Sequence, residues 1–277
     1  MSSYSILPLI SALVFISLGL FVYLKNRHSA VNALFALSCL ATFGWQFTWA
    51  ILFSIEHEAL APWLVKVGYT SITLIPTLAY HFAILHIGAN GEVMERRIIR
   101  LSYLFCSAML LMLWFTSLFI RGYKPHVWGN YPVAGPLHPL YLTHLTFLAV
   151  RVLYRLWKDA GDLSLPALMR MQRKYLFWAF SIYCLASMDF LVNYGADFYP
   201  FGFVFVLASL GILFYTIVQY RLMDIRVAIV RGATFLFVYV PLLFLPIIGG
   251  VILRTALERW LGFNWWILPA LLAAVLA

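Results

Sequence analysis

Eight full apolar segments and one partial one run along the chain, each bounded by charges, glycine or proline. They cover residues 6–24, 30–53, 62–87, 101–120, 138–157, 175–194, 199–220, 233–253 and 265 to the end. Each full segment has the length of a membrane-spanning helix, about 20 residues. The third has its polar groups in order. Between Pro62 and Ile87, Lys66, Tyr69, Thr70, Thr73, Thr77, Tyr80 and His81 recur at steps of three and four, opposite Val67, Ile72, Leu74, Leu78 and Phe82. A helix puts the polar set on one stripe. Unpaired polar groups in hydrocarbon are costly, so the stripe predicts a helix enclosed by other helices. It reads either as the wall of a ligand or ion site, or as hydroxyls that bond backbone carbonyls and join helices. The second reading suits Thr70, Thr73 and Thr77, while Lys66 and His81 stay open between the two.

Composition changes the picture by fixing the class. The 277 residues are 64% hydrophobic and only 10% charged, with a mean hydropathy of +0.91. A polytopic membrane protein is expected. The formal charge of +9 sits in short loops, where it reports orientation and gives no sign of a nucleic-acid partner. Alternate loops hold Lys25, Arg27, Arg96, Arg97, Arg100, Arg151, Arg155, Lys158, Arg170, Arg173, Lys174, Arg221, Arg226 and Arg231; the others hold Arg121, Lys124, Arg254 and Arg259. The richer set is expected in the cytoplasm and the N-terminus outside. Residues 1–5 carry no positive charge before the first apolar run, so that run reads as a helix that stays. The last run is too short to span, which predicts a fragment whose native chain continues into the cytoplasm. Cys39, Cys106 and Cys184 lie apart inside apolar runs and read as small core side chains.

Candidate chemistry concentrates toward the outer face. At about 1.5 Å of rise per residue, Gln46, His144 and Asp189 fall on the order of 6 Å outward of the midplane, with Lys66, Trp49 and Asn193 a turn further out. An intramembrane carboxylate needs a partner, and Lys66 and His144 are the candidates for Asp189. The expected ligand-binding set is Gln46, Trp49, Lys66, Tyr69, Thr73, His144, Asp189 and Asn193, walled by Trp45, Trp49 and Tyr183. Each has a plainer reading. Lys66 can snorkel, Asp189 can serve an interhelical pair, and His144 can be a packed histidine. The aromatic loop 121–139 reads as an interface belt, or else as a cap over an outward-facing pocket. The basic connector 158–174 reads as a segment drawn to anionic headgroups. Glu56, His57 and Glu58 are adjacent and His81 and His86 five apart, so no metal or cofactor is expected. The seventh segment has no lysine for a retinal Schiff base. The chain carries no Gly-Lys-Ser/Thr phosphate loop, no His-Glu-x-x-His and no cytoplasmic acidic cluster.

Tyr220-Arg221-Leu222-Met223-Asp224-Ile225, followed by Val230-Arg231-Gly232-Ala233, resembles the junction that closes the N-terminal seven-helix sensor region of bacterial histidine kinases. Trp45 and Trp49, and Pro76 ahead of Tyr80-His81-Phe82, agree with it. The resemblance implies an all-α transmembrane bundle: a seven-helix sensor domain over 1–232, then a C-terminal helical hairpin over 233–277 cut short in its last helix. It implies a receptor in the bacterial inner membrane that detects a small-molecule or lipid-like signal, acts as a homodimer among membrane lipids, and passes the signal through Arg221, Asp224, Arg226 and Arg231 to a cytoplasmic kinase. No catalytic residue carries over. A transporter or channel is the main alternative, and the sensor of a cyclase or a membrane enzyme is the second.

Overall fold

The computed structural model describes residues 2–55 and 59–220, together with Leu222, Ile267 and Pro269. The chain divides into two units, 2–224 and 225–277, and the account below concerns the first. The relay residues Arg221, Asp224, Arg226 and Arg231, the C-terminal hairpin, and the Glu56-His57-Glu58 run lie outside the described residues.

A 3-10 turn over Ser3–Ser5 leads into α1 (Ile6–Lys25), followed by α2 (Ala30–Leu52) and α3 (Ala61–His86). Then come α4 (Val93–Phe115), strands β1 (Ile120–His126) and β2 (Gly129–Ala134), α5 (His138–Ala160), α6 (Ala167–Leu185) and α7 (Gly202–Tyr220). Between α6 and α7 the chain tightens into a 3-10 segment, Ala186–Tyr194. Local chemistry sets several boundaries. The Ser29 hydroxyl caps α2 by accepting from the Asn32 amide. Pro62 and Pro139 open α3 and α5, where a missing N–H costs nothing. Gly88, at φ 77°, ends α3 in the left-handed region that a side chain would disfavour.

Among the described residues, five helical stretches are long and apolar enough to cross a membrane: Ser3–Lys25, Ala30–Leu52, Val93–Phe115, Ala167–Tyr194 and Gly202–Tyr220. The two helices left out are α3 and α5. Both carry polar groups inward, with Thr73, Thr77 and His138 at 0% exposure. Helix α3 packs on α2, α4 and α5, so the enclosure predicted from its stripe holds. Thr70 and Thr73 bond the carbonyls of Lys66 and Tyr69 on their own helix at 2.8 and 2.6 Å. The plainer reading applies to both. Thr77 instead meets Cys106 Sγ at 3.1 Å, which joins α3 to α4.

Three features differ from expectation. The loop 121–139 is not an aromatic belt but contains a β-hairpin, antiparallel from His126↔Gly129 to Ile120↔Ala134 with an irregularity between Ile120 and Gly122. Trp128 and Tyr131 are buried against Phe53 and Trp49, where they gain more burial than an interface affords. Gly129 is tied to that docking, because a Cβ there would strike the Phe53 backbone. The connector 158–174 is mostly helix, leaving 161–166 as loop. Arg173 points inward instead of toward headgroups, bonding the Ile87 carbonyl at 3.2 Å and lying 3.6 Å from Asp159. Finally, α4 starts at Val93, eight residues before its apolar run, because ion pairs hold its polar first turns.

Candidate functional site

The hairpin end of the bundle carries an aromatic core, in which Trp49, Tyr69, Phe119, Tyr131 and Tyr141 are nearly or fully buried. Behind it a cavity of about 90 Å³ runs between α2, α3, α5 and α6. On α3 its wall extends from Tyr69 to Tyr80, roughly 16 Å along the helix axis. Trp45, Trp49, Tyr131, Tyr141, Tyr183 and Asp189 also face it. Ser187 is both exposed and part of the wall, which places an opening on the α6 side. The hairpin contributes Tyr131, so the loop acts as a cap for the cavity.

Of the eight expected site residues, Trp49, Tyr69 and Asp189 share this wall; the other five do not. Lys66 and Asp189 do not pair. Lys66 Nζ donates to the Trp114 carbonyl at 3.0 Å and lies 5.9 Å from the centre of its ring. His144 lies against Phe105, with ring centres 4.3 Å apart, and Nε2 is 3.5 Å from Thr77 Oγ1. Asp189 takes its partners from the backbone. It accepts from Gly202 N at 3.0 and 2.9 Å and from Phe201 N at 3.1 Å, so the cavity wall holds the start of α7. A helix N-terminus leaves amides without intrahelical acceptors and carries partial positive charge, which is why a carboxylate settles there.

Asn193 and Tyr69 support the site without both facing it. Asn193 Nδ2 donates to the Tyr69 hydroxyl at 2.6 Å and to the Pro132 carbonyl at 3.0 Å, tying the 3-10 segment to α3 and β2. The same hydroxyl meets His138 Nε2 at 3.2 Å, and His138 Nδ1 meets the Tyr194 hydroxyl at 2.8 Å. Tyr69→Phe strips this buried network of its central oxygen and should destabilise the fold by about 1–3 kcal/mol, read as a lower melting temperature in detergent. Thr73 is spent on its own helix. Gln46 is buried on α2, and its Oε1 accepts no hydrogen bond from the described residues.

The far end of the cavity holds a cluster that the sequence reading missed. Tyr80 donates to Glu95, whose side chain is fully buried. Arg151 Nη2 lies 2.7 Å from Glu95 Oε1, and its Nε donates to the Tyr80 hydroxyl at 2.9 Å. Arg155 lies 3.5 Å from Glu95 and grips Glu92 with two bonds of 2.6 and 2.8 Å. The signal was the spacing. Glu92 and Glu95 stand three apart and Arg151 and Arg155 four apart, so each pair shares a helix face.

Arg155 holds the Glu92 carboxyl below its ordinary value of 4.5. A depressed carboxyl stabilises the fold above its unfolded value, and that contribution disappears as pH falls through the folded one. Glu92 is half exposed, so the effect is small. The difference in melting temperature between the parent chain and Glu92→Gln should be present at pH 7 and shrink below about pH 4.5.

Among the described residues, no group of three His, Cys, Asp or Glu side chains is placed to hold a metal ion. The arrangement is an aromatic cavity with one carboxyl, joined at one end to a helix start and at the other to an ion cluster. Neither curated proteins nor solved structures give a significant match to the chain. The family model described as the N-terminal 7TM region of histidine kinase matches residues 7–226, in keeping with the junction at Tyr220, and the chain therefore belongs to that family of multi-pass membrane sensor modules.

Proposed function

We propose that this chain is the signal-binding membrane module of a bacterial sensor histidine kinase. A small or membrane-borne signal enters the cavity under the hairpin and alters the hold of Asp189 on α7. Helix α7 then carries the change through Arg221, Asp224, Arg226 and Arg231 to a cytoplasmic kinase, in a homodimer of the inner membrane. One observation supports this above the others: Asp189 both faces the cavity and caps the helix that leads out of the sensor region. A ligand shifts two arrangements only by its difference in affinity for them, and contact with that carboxyl supplies such a difference.

The transporter reading needs a polar route through the bundle. Tyr80, Glu95 and Arg151 close the cavity at the end away from the hairpin, which favours sensing over passage. A cavity-filling substitution tests the proposal. Ala149→Phe, on the α5 wall, should mimic occupancy in the full-length protein, fixing autophosphorylation at one level and abolishing its response. Unchanged basal and stimulated output with the cavity filled would falsify the proposal, and solute uptake in proteoliposomes would then support transport.

A further inference from the structure

We infer that the cavity selects an organic cation with an apolar body, an amine or quaternary ammonium carried on a hydrocarbon or aromatic group. This rests on the cavity being the signal site and names the chemistry of what fills it.

The argument comes from what the wall offers. Five tyrosines line the cavity, and every hydroxyl among them is engaged with the protein. Tyr69 bonds Asn193 and His138, Tyr80 bonds Glu95, Tyr131 donates to the Asp189 carbonyl at 3.2 Å, Tyr141 donates to the Ile72 carbonyl at 2.9 Å, and Tyr183 meets Thr42 at 3.1 Å. The tyrosines therefore present rings to a ligand, and Trp45 and Trp49 add two more. Trp49 stands 6.0 Å from the Tyr69 ring and 5.7 Å from that of Tyr131.

Among the described wall residues, Asp189 is the one carboxyl, and none is Lys, Arg or His. It is 4% exposed, and its partners are backbone amides, with no Lys, Arg or His among the described residues paired to it. Capping α7 needs an acceptor but no charge, since serine, threonine or asparagine serve as well. The surplus is a buried carboxyl beside aromatic rings, and a cation set against it favours its ionised form. Ring quadrupoles and a carboxylate both attract cations. A neutral apolar ligand leaves the carboxyl facing hydrocarbon, and an anion meets it with no cation among the described wall residues to compensate.

The test uses the chain in lipid nanodiscs and isothermal titration with three probes of similar shape: benzyltrimethylammonium, its neutral carbon isostere neopentylbenzene, and phenylacetate. The cation should bind saturably and at least about tenfold more tightly than the isostere, with phenylacetate weakest. Asp189→Asn, which keeps an acceptor for the Gly202 amide, should remove most of the preference for the cation. Trp49→Leu should weaken cation binding while leaving the carboxyl in place, so it decides the matter should Asp189→Asn fail to fold. Equal or tighter binding of the isostere, or no saturable binding of the cation, overturns the assignment. Cation binding that neither substitution changes overturns its location. The kinase reading is separate: Ala149→Phe with fixed output and no cation preference would keep the sensor and discard this ligand class.

Discussion

In Arg151→Met, the Glu95 carboxylate is left with 0% exposure and loses its principal partner, and the fold should lose about 3–5 kcal/mol. The converse change is milder. In Glu95→Gln the amide oxygen still accepts one bond from Arg151 or Tyr80, and Arg151 retains 28% exposure through which water relieves its charge. Arg155 also keeps its two bonds to Glu92. Burial thus predicts an unequal pair, with the arginine change the worse. Combining Arg151→Met with Glu95→Gln should recover part of the loss, because the buried charge goes with its partner. Reversible unfolding of the four proteins in mixed micelles provides the check. A double variant as unstable as the sum of the singles would show that the cluster contributes packing alone.

Asp189→Ala should produce the second large effect, located at α7. Two backbone amides, the part-buried Phe201 N and the buried Gly202 N, lose their acceptor, and a stranded buried donor costs about 1–3 kcal/mol. The removal of a buried carboxylate offsets part of this, so a net destabilisation of about 2 kcal/mol is expected. The more telling outcome is where it appears. Amide exchange should rise at Phe201, Gly202 and the first turn of α7, while the hairpin and the Glu95 cluster keep their protection. In the full-length protein the same substitution should uncouple kinase output from stimulus. Unaltered exchange at α7 would show that another contact holds the helix and would remove the proposed relay.

Particular residues show how far local pattern reaches. Trp45, Trp49 and Tyr183, expected as the walls of an outer pocket, line one cavity with Asp189. Depth is set by counting residues along a helix, and that count is local. Lys66, Gln46, Thr73, His144 and Asn193 share or nearly share that depth yet stand off the wall. Depth fixes position along an axis, whereas rotation about it depends on the neighbours a helix meets. Asp189 illustrates the point. Its cost in a membrane was legible, but its partners are amides freed by a helix start, which no side-chain inventory lists.

By itself the sequence determined the membrane class, most helix positions and the enclosed polar face of α3, because apolar length and periodicity are properties of a short stretch. It also carried the junction at Tyr220 that fits the family matched over residues 7–226. The tertiary structure alone decided the docked hairpin, the Tyr80–Glu95–Arg151 cluster and the cap on α7. In the first two, the groups that meet lie far apart in the chain. In the third they are 13 residues apart but separated by a change of direction. Each depends on which faces pack together, and hydrophobic pattern leaves that open until burial and hydrogen-bond satisfaction choose among arrangements.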